Sequence, residues 1–137
     1  MGVRVYGVQR LINELELKFG KEQITAIVDE ALTAGSLVFG MELRRQLRTF
    51  SDGTGYSKGY TLDEMTISEP LDKLGNRTIT VHWRGRHGRY RIIHLNEWGT
   101  IKNPNPRGKG KIAKAMALSK QAYGKAVRDT IRRRLSA

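Results

Sequence analysis

The stretch that decides the fold is residues 21–49, which read KEQITAIVDEALTAGSLVFGMELRRQLRT. Apolar residues recur in it from Ile24 to Leu43 at the spacing of a helix, and they cover more than one narrow stripe. Much of this predicted helix should therefore be covered by other parts of the chain. Gly35 and Gly40 each weaken a helix by about 1 kcal/mol relative to alanine. In a helix this long, we interpret them as points of close packing or of a bend.

Before the long helix, the pattern predicts one short strand and one short helix. The strand is indicated by the alternation of Val3 and Val5, with Val8 as a third apolar position, and the helix by apolar residues at helical spacing in residues 11–19. Gly20 follows directly and is a typical helix stop.

After the long helix, alternating apolar and polar residues predict strands. Residues 65–67 alternate before a proline, and residues 79–83 show the period of two that is typical of a half-buried strand. Residues 85–88 read GRHG and predict a turn. We expect residues 89–95 to form the returning strand of a hairpin.

The last 27 residues predict a second long helix. It begins near Lys111 and carries lysines and arginines on the faces outside its apolar stripe. The stripe consists of Ile112, Met116, Ser119, Tyr123, Val127, Ile131 and Leu135.

The net charge of +12 is unevenly distributed along the chain. Residues 1–76 carry 9 Lys and Arg against 11 Asp and Glu, a balance of −2, whereas residues 77–137 carry 16 against 2, a balance of +14. This asymmetry suggests a polyanionic partner or an acidic protein surface. A solvated basic face that only maintains solubility is the alternative.

Composition and length exclude several classes of protein. At 137 residues the chain fits a single domain, which we place at residues 1–137. It has no cysteine, so disulfides, thiolate metal sites and cysteine nucleophiles are excluded. We expect a soluble protein with no membrane partner. No signal sequence is visible, and the longest uncharged run, residues 31–41, is shorter than the ~20 residues of a membrane helix.

The chain offers little that indicates catalysis. Glu97 and Asp129 are the only carboxylates in residues 77–137, whereas a two-metal nuclease needs several and a glycosidase needs a matched pair. His94 and Glu97 are three apart, but in a strand such residues point to opposite faces. There is no Gly-x-Ser-x-Gly motif. We therefore predict no enzyme activity, no metal and no cofactor, and keep a metal-dependent nuclease only as a remote alternative.

Glu97 has a structural interpretation instead. A lone carboxylate among many cations accepts charge-assisted hydrogen bonds from arginines or from backbone N–H groups. We expect it to bind such donors, for example the N–H groups of Gly99 and Thr100 at the end of the strand. A contact with a partner is the other interpretation.

Residues 94–100 read HLNEWGT and precede a proline-containing basic loop and an alanine-rich helix. This arrangement resembles the tail-completion, or head-to-tail joining, family of long-tailed bacteriophages. Members of that family show a Glu-aromatic-Gly-Thr motif, which Glu97, Trp98, Gly99 and Thr100 match. The order of the preceding elements is also similar, although the prolines that the family often has after its long helix are missing here.

The resemblance implies both a fold and a function. The fold would be α+β, with the long helix packed on a small antiparallel β-sheet and followed by a C-terminal basic amphipathic helix. The function would be structural. Copies of the chain would form a ring, expected to be a hexamer, in the virion neck between the head connector or stopper and the tail tube or terminator, with DNA passing through without sequence specificity. The protein would be in the host cytoplasm during assembly.

Two sets of residues are candidates for contact with DNA or with partner proteins. The candidate DNA-channel or docking surface consists of cations, namely Arg84, Arg86, Arg89, Arg91, Lys102, Arg107, Lys109 and Lys111. The candidate flexible docking loop is polar and glycine-rich and lacks the Gly-Lys-Ser/Thr of a nucleotide loop. It consists of Ser51, Asp52, Gly53, Thr54, Gly55, Tyr56, Ser57, Lys58 and Gly59.

A cellular nucleic-acid-binding protein is the alternative function. Trp83, Tyr90 and Trp98 alternate with cations along the sequence and could stack on bases. No RNA-binding signature accompanies them, however, and the full apolar stripe of the last helix favours packing against protein.

Overall fold

The computed structural model describes residues 2–3, 9–50 and 59–136. The architecture is α+β, as predicted, with two long helices and a small antiparallel sheet. In chain order the elements are β1 (Gly2–Val3), α1 (Gln9–Phe19), α2 (Lys21–Arg48), α3 (Tyr60–Asp63), β2 (Met65–Ile67), β3 (Leu71–Lys73), β4 (Asn76–Trp83), a 3₁₀ turn (Arg89–Arg91), α4 (Ile93–Trp98) and α5 (Lys111–Ser136).

The long helix α2 is the centre of the core, and the prediction of its position is confirmed to within one residue. It follows Gly20, whose positive φ of 92° separates it from α1. By length and composition α2 would also qualify as a membrane span. Burial against the rest of the chain accounts for part of that composition, while Leu37 and Met41 are exposed. The buried apolar side chains of α2 are Ile24, Ile27, Ala31, Leu32, Phe39, Leu43 and Leu47.

The most extensive packing in the structure is between α2 and α5, which run antiparallel. Near one end of the pair, Glu30 of α2 accepts hydrogen bonds from Arg133 at 2.8 Å and from Arg134. In the middle, Gly35 lies against the side chains of Tyr123 and Val127. In the apolar stripe predicted for the last helix, Tyr123 and Val127 therefore pack on α2, whereas Met116 is 46% exposed.

Gly35 and Gly40 mark close approaches, so the interpretation of them as packing positions is confirmed. A Cβ added to Gly35 would lie 2.7 Å from Cε2 of Tyr123 and 2.9 Å from Cγ2 of Val127. A Cβ added to Gly40 would lie 2.7 Å from Cδ1 of Ile67 in β2. The two glycines thus allow α5 and the sheet to approach α2 on different sides.

The antiparallel sheet is built around β4, which pairs with the three other strands in turn. β1 pairs through Gly2 with Thr80, and β2 pairs through Met65 with Trp83. Ile79, Val81 and Trp83 are buried, as the alternation predicted. The prediction of a strand at residues 65–67 is also confirmed. Of the predicted first strand, Val3 lies in β1, whereas Val5 and Val8 lie outside the described residues.

β3 was not predicted, and it extends the sheet as a hairpin with β4. Lys73 pairs with Asn76, so the turn between them has two residues, Leu74 and Gly75. Both have positive φ, 53° and 82°, which is the requirement of a type I′ turn. Leu74 is fully exposed at the tip of this hairpin.

The core lies where α2, α5 and β4 meet. It contains an aromatic group on each side of the junction, because Phe39 comes from α2 and Trp83 from β4. The indole N–H of Trp83 donates to the carbonyl oxygen of Thr61 at 2.9 Å, so this buried ring has no unpaired polar atom. The other buried members are Leu43, Leu47, Phe50, Met65, Val81, Ile112 and Ala115.

The predicted returning strand at residues 89–95 is wrong. After the turn at residues 85–88, which is confirmed, the chain forms the 3₁₀ turn and then α4. Gly88 has a φ of 62°, and the side chain of Glu64 accepts hydrogen bonds from the N–H groups of His87 and Arg89. These contacts take the backbone donors that a hairpin ladder would have used, and the short apolar run that follows fits a helix as well as a strand.

The close approach at Gly35 gives a stability prediction. We expect Gly35→Ala to lower the free energy of unfolding by about 1 kcal/mol, because overpacking against Tyr123 and Val127 costs more than the helix propensity of alanine returns. Urea denaturation followed by circular dichroism measures it.

Gly124→Ala in α5 is the matched control. Its added Cβ would meet only the movable end of Arg128, at 3.0 Å from Nη1. We expect it to raise the free energy of unfolding by about 0.5–1 kcal/mol through helix propensity. Equal effects of the two substitutions would show that the α2–α5 contact does not depend on Gly35.

Candidate functional site

Glu97 holds the beginning of α5. Its side chain is 4% exposed, and its two carboxylate oxygens accept the N–H groups of Ile112 at 2.8 Å and Ala113 at 3.2 Å. The N–H of Lys111 donates to Gly108 and that of Lys114 to Gly110, so all four N–H groups of the first turn have acceptors. The carboxylate also lies at the positive end of the helix dipole.

The prediction that backbone N–H groups bind Glu97 is confirmed, but the residues that supply them differ from Gly99 and Thr100. The carboxylate accepts the N–H groups of Ile112 and Ala113 at the N-terminus of α5. The reason is that Glu97 lies on α4 and not at the end of a strand. A helix N-terminus fifteen residues later in the chain supplies donors that no local pattern reveals.

Gly99 and Thr100 shape the loop that connects α4 to α5. Gly99 has a φ of 79°, and a Cβ added to it would lie 2.5 Å from the carbonyl oxygen of Pro104. Thr100 donates its N–H to the carbonyl of Asn103 at 2.9 Å and accepts the N–H of Asn103 on Oγ1, also at 2.9 Å. The backbone N–H of Gly110 donates to the carbonyl of Glu97 at 2.9 Å and closes the loop.

A second buried glutamate, Glu64, was missed by the sequence reasoning. It is 4% exposed and accepts the N–H groups of His87 at 2.6 Å and Arg89 at 2.9 Å, while its own carbonyl accepts the N–H of Arg84 at 2.8 Å. A Cβ added to Gly85 would lie 2.6 Å from the Glu64 carboxyl group. In the sequence, Asp63 and Glu64 resemble an exposed acidic pair. No sequence pattern therefore predicted that Glu64 is buried and accepts backbone hydrogen bonds.

Between β4, the 3₁₀ turn, α4 and the start of α5 there is an open groove of about 290 Å³, the aromatic groove. It brings together three aromatic residues that are separate in the sequence. Trp83 is buried at 6% exposure, whereas Tyr90 is 56% exposed and Trp98 is 71% exposed. The other lining residues are Val81, His82, Ile93, His94, Glu97 and Ile112.

Of the first group of predicted cations, Arg91 contacts a lining residue of this groove, and Arg84 directly follows another in the chain. Arg84, Arg86 and Arg91 are exposed. Arg91 lies over the ring of Tyr90, with 5.4 Å from Cζ to the ring centroid, and its Nε donates to the Tyr90 hydroxyl at 2.9 Å. This hydrogen bond raises the pKa of Arg91 above its usual value, so its charge is permanent. It also fixes the Tyr90 ring at the margin of the groove.

Arg89 is different from its three neighbours. It is half-buried, with Cζ 5.5 Å from the centroid of the Tyr60 ring, and Tyr60 in turn stacks on His87 at 3.4 Å between centroids. Its buried Nε has no hydrogen-bond partner within the described structure. Arg89 is therefore a packing residue behind the groove, and it does not present its charge to solvent in the way the other three do.

The second group of predicted cations is only partly engaged within the fold. Arg107 donates to the carbonyl oxygen of Phe50 at 3.2 Å, after the end of α2, and Lys109 donates to that of Pro104 in its own loop at 2.9 Å. Lys111 is half-buried at the start of α5, and Lys102 is exposed. The predicted cation that contacts a lining residue of the aromatic groove is Arg91.

The placement of His94 and Glu97 on opposite faces of a strand was wrong, because both lie on α4 and both line the groove. Within residues 2–3, 9–50 and 59–136, no group of three or more His, Cys, Asp or Glu side chains could hold a metal ion. Glu97 is already occupied by two backbone donors. The groove is therefore best suited to binding an apolar or aromatic group next to a negative charge.

Of the candidate flexible docking loop, residues 51–58 lie outside the described residues. Gly59, its last residue, has a φ of 81° and precedes α3. The prediction for this loop stays a prediction.

No protein-family model, no curated protein and no solved structure matches this chain.

The position of Glu97 gives a second stability prediction. We expect Glu97→Gln to lower the free energy of unfolding by about 1–3 kcal/mol, because one of two buried N–H groups would face an amide NH₂ instead of an oxygen. Glu69→Gln is the control, since Glu69 is exposed and such substitutions change stability by about 0.5 kcal/mol or less. Chemical denaturation measures both. Equal stability of the two variants would refute the capping role.

Proposed function

We propose that this chain is a structural assembly protein of a bacteriophage neck, where copies form a ring that joins the tail tube to the head connector around the DNA channel. The observation that carries the proposal is the aromatic groove. It exposes Tyr90 and Trp98, with the exposed Arg91 in contact with Tyr90, while the one carboxylate among its lining residues is held by the backbone of α5. Such a site offers contact area and charge for docking.

The Glu-Trp-Gly-Thr motif supports this proposal because three of its residues have a structural role and the fourth is exposed. Glu97, Gly99 and Thr100 fix the start of α5 and the loop before it, whereas Trp98 is directed outward. Three residues thus build a rigid base for the fourth. Exposed tryptophans on rigid supports are typical of the energetic centres of protein interfaces, where Trp, Tyr and Arg are enriched.

The surface next to the motif also favours docking. Ile101, three residues after Trp98, is fully exposed, and Leu95 of α4 is 39% exposed. Apolar side chains that lie together on a surface mark interaction sites more often than isolated ones do. In a ring, this face would be covered by a neighbouring subunit or by a component of the connector or tail.

The charge of the chain fits a channel through which DNA passes. The exposed residues of α5 include Lys114, Lys120, Lys125, Arg128 and Arg132, of which Lys125 is paired with Asp129 at 2.6 Å. Such an array binds phosphates without reading sequence, because the attraction depends on charge alone. Lined up around a ring, these side chains would give a basic lumen or a basic docking face.

The direct test uses the phage or lysogen that carries the gene. We expect that deletion of the gene leaves DNA-filled heads and finished tails as separate particles, which negative-stain electron microscopy of the lysate shows. Expression of the chain from a plasmid should restore joined virions. Normal virions in the absence of the gene, or a gene that lies outside any phage or prophage, would contradict the proposal.

Point variants localise the effect to the groove. We expect Trp98→Ala to fold normally, because the side chain is largely exposed, but to restore few joined virions. Leu118→Ala is the matched control, since Leu118 is 53% exposed on α5 away from the groove and should restore joining fully.

A cellular nucleic-acid-binding protein is the second candidate function. It is favoured by one observation, namely that Trp83, Tyr90 and Trp98 line the same groove next to arginines. Bases stack on exposed aromatic rings, and each contributes about 1–3 kcal/mol. Trp83 is buried, however, so only Tyr90 and Trp98 offer a ring to solvent.

Binding to DNA separates the two candidates. For the assembly protein, we expect the isolated chain to bind duplex and single-stranded DNA weakly at physiological salt, with dissociation constants of about 10⁻⁶–10⁻⁴ M that are typical of non-specific binding. Fluorescence anisotropy over a series of salt concentrations measures this. Tighter binding to single strands that Trp98→Ala abolishes would favour the nucleic-acid-binding protein.

A further inference from the structure

The hairpin between β3 and β4 carries a side chain that the fold of one chain does not explain. Leu74 is 100% exposed and has a φ of 53°, a conformation that glycine, asparagine and aspartate adopt more easily than leucine. In an isolated chain, one of those residues would adopt the turn conformation more easily than leucine. It would also be better hydrated at this exposed position. A leucine at this place therefore indicates a contact with something outside the chain.

The surroundings of Leu74 indicate the chemistry of that contact. Leu71 is 51% exposed on the same hairpin, so the tip presents two apolar side chains. Glu69 and Asp72 are exposed nearby and carry negative charge. The hairpin tip, residues 69–76, thus combines apolar groups with two acidic ones, while its one lysine, Lys73, donates to the hydroxyl of Thr80 in β4 at 3.0 Å.

The aromatic groove is complementary to this tip. It offers the rings of Tyr90 and Trp98 to an apolar side chain, the exposed Arg91 lies over the Tyr90 ring, and the exposed Arg84 follows Trp83 in the chain. Its volume of about 290 Å³ lies at the lower limit of the ~300–1,000 Å³ of small-molecule pockets. This size is suited to one or two inserted side chains.

A chain cannot place its own tip in its own groove. The tip adjoins Asn76, the first residue of β4, and the groove is lined by Trp83, the last residue of β4. Seven steps of about 3.3 Å along a strand separate these two residues by about 23 Å. The rigid strand therefore holds the tip and the groove apart, and they can meet only between two copies.

We propose that the hairpin tip of one chain inserts Leu74 into the aromatic groove of a second copy, with Glu69 and Asp72 facing the arginines of the groove. Such a contact is head-to-tail, and repeated contacts of this kind close into a ring or continue as a filament. The inference rests on the proposed neck function in one respect, because it supplies the subunit contact of the ring.

Cysteine cross-linking tests the contact, because the chain has no cysteine of its own. Two single variants, Leu74→Cys and Tyr90→Cys, are mixed at high concentration, one of them with a tag that changes its mass, and are oxidised mildly. The matched control is a mixture of Leu74→Cys with Arg132→Cys. Arg132 is exposed on α5 twenty residues beyond Ile112, or about 30 Å along the helix.

In the first mixture, we expect disulfide-linked dimers of one Leu74→Cys chain and one Tyr90→Cys chain to be more abundant than dimers of two identical chains. In the control mixture the three dimers should form in statistical proportion. A proportion of unlike dimers no higher than in the control overturns the proposed contact, whether or not the chain associates in another way.

Leu74→Asn provides a second test that preserves the fold. Because asparagine tolerates positive φ better than leucine does, we expect an unfolding temperature equal to or above that of the original chain. In the deletion strain, however, this variant should restore fewer than a tenth of the joined virions. Full restoration by Leu74→Asn would overturn the proposed contact.

The two proposals can fail separately. Cross-linking of unlike chains together with normal virions in the deletion strain would retain the contact and reject the neck function. Separate heads and tails in the deletion strain without preferential cross-linking would retain the neck function and reject this contact.

Discussion

The carboxylate of Glu97 joins three parts of the chain that would otherwise be independent. Glu97 belongs to α4 and directly precedes the loop that leads to α5. Its carboxylate accepts the N–H groups of Ile112 and Ala113 in the first turn of α5. A buried charge is costly unless it is fully hydrogen-bonded, and here two backbone donors and the helix dipole compensate it. Since α5 packs along α2, this group links α4 and the aromatic groove to the core, together with Ile93 of α4, which packs against the core directly.

Glu64 acts in the same manner on the other side of the groove. It binds the N–H groups of His87 and Arg89 and so fixes the turn that carries the exposed arginines. Both buried carboxylates are thus engaged by the backbone. Neither carboxylate is left to pair with the exposed arginines, so the groove presents apolar rings with the charge of Arg91 beside them, which is a chemistry of binding.

The two long helices were predictable from the sequence, whereas α3, α4 and the groove were not, for a physical reason. The periodicity of α2 and α5 persists over more than twenty residues, so burial of one face determines both helices. Residues 89–98 are too short for periodicity to decide, and their conformation depends on Glu64, which is 23 residues before His87. The groove could not be predicted from the sequence for the same reason. Trp83, Tyr90 and Trp98 come together only through contacts between distant residues, although their residue types had already indicated binding.

Leu74 shows how a departure from local rules can be informative. Propensity, turn geometry and hydration agree at most positions of a folded chain, and departures are expected where a residue serves something other than the fold. Here the departure lies at one end of β4 and the aromatic groove lies at the other. Because a strand is stiff and of fixed rise, the length of β4 would set the spacing of successive subunits in any head-to-tail assembly. The geometry of a ring would then follow from the eight residues of a single strand.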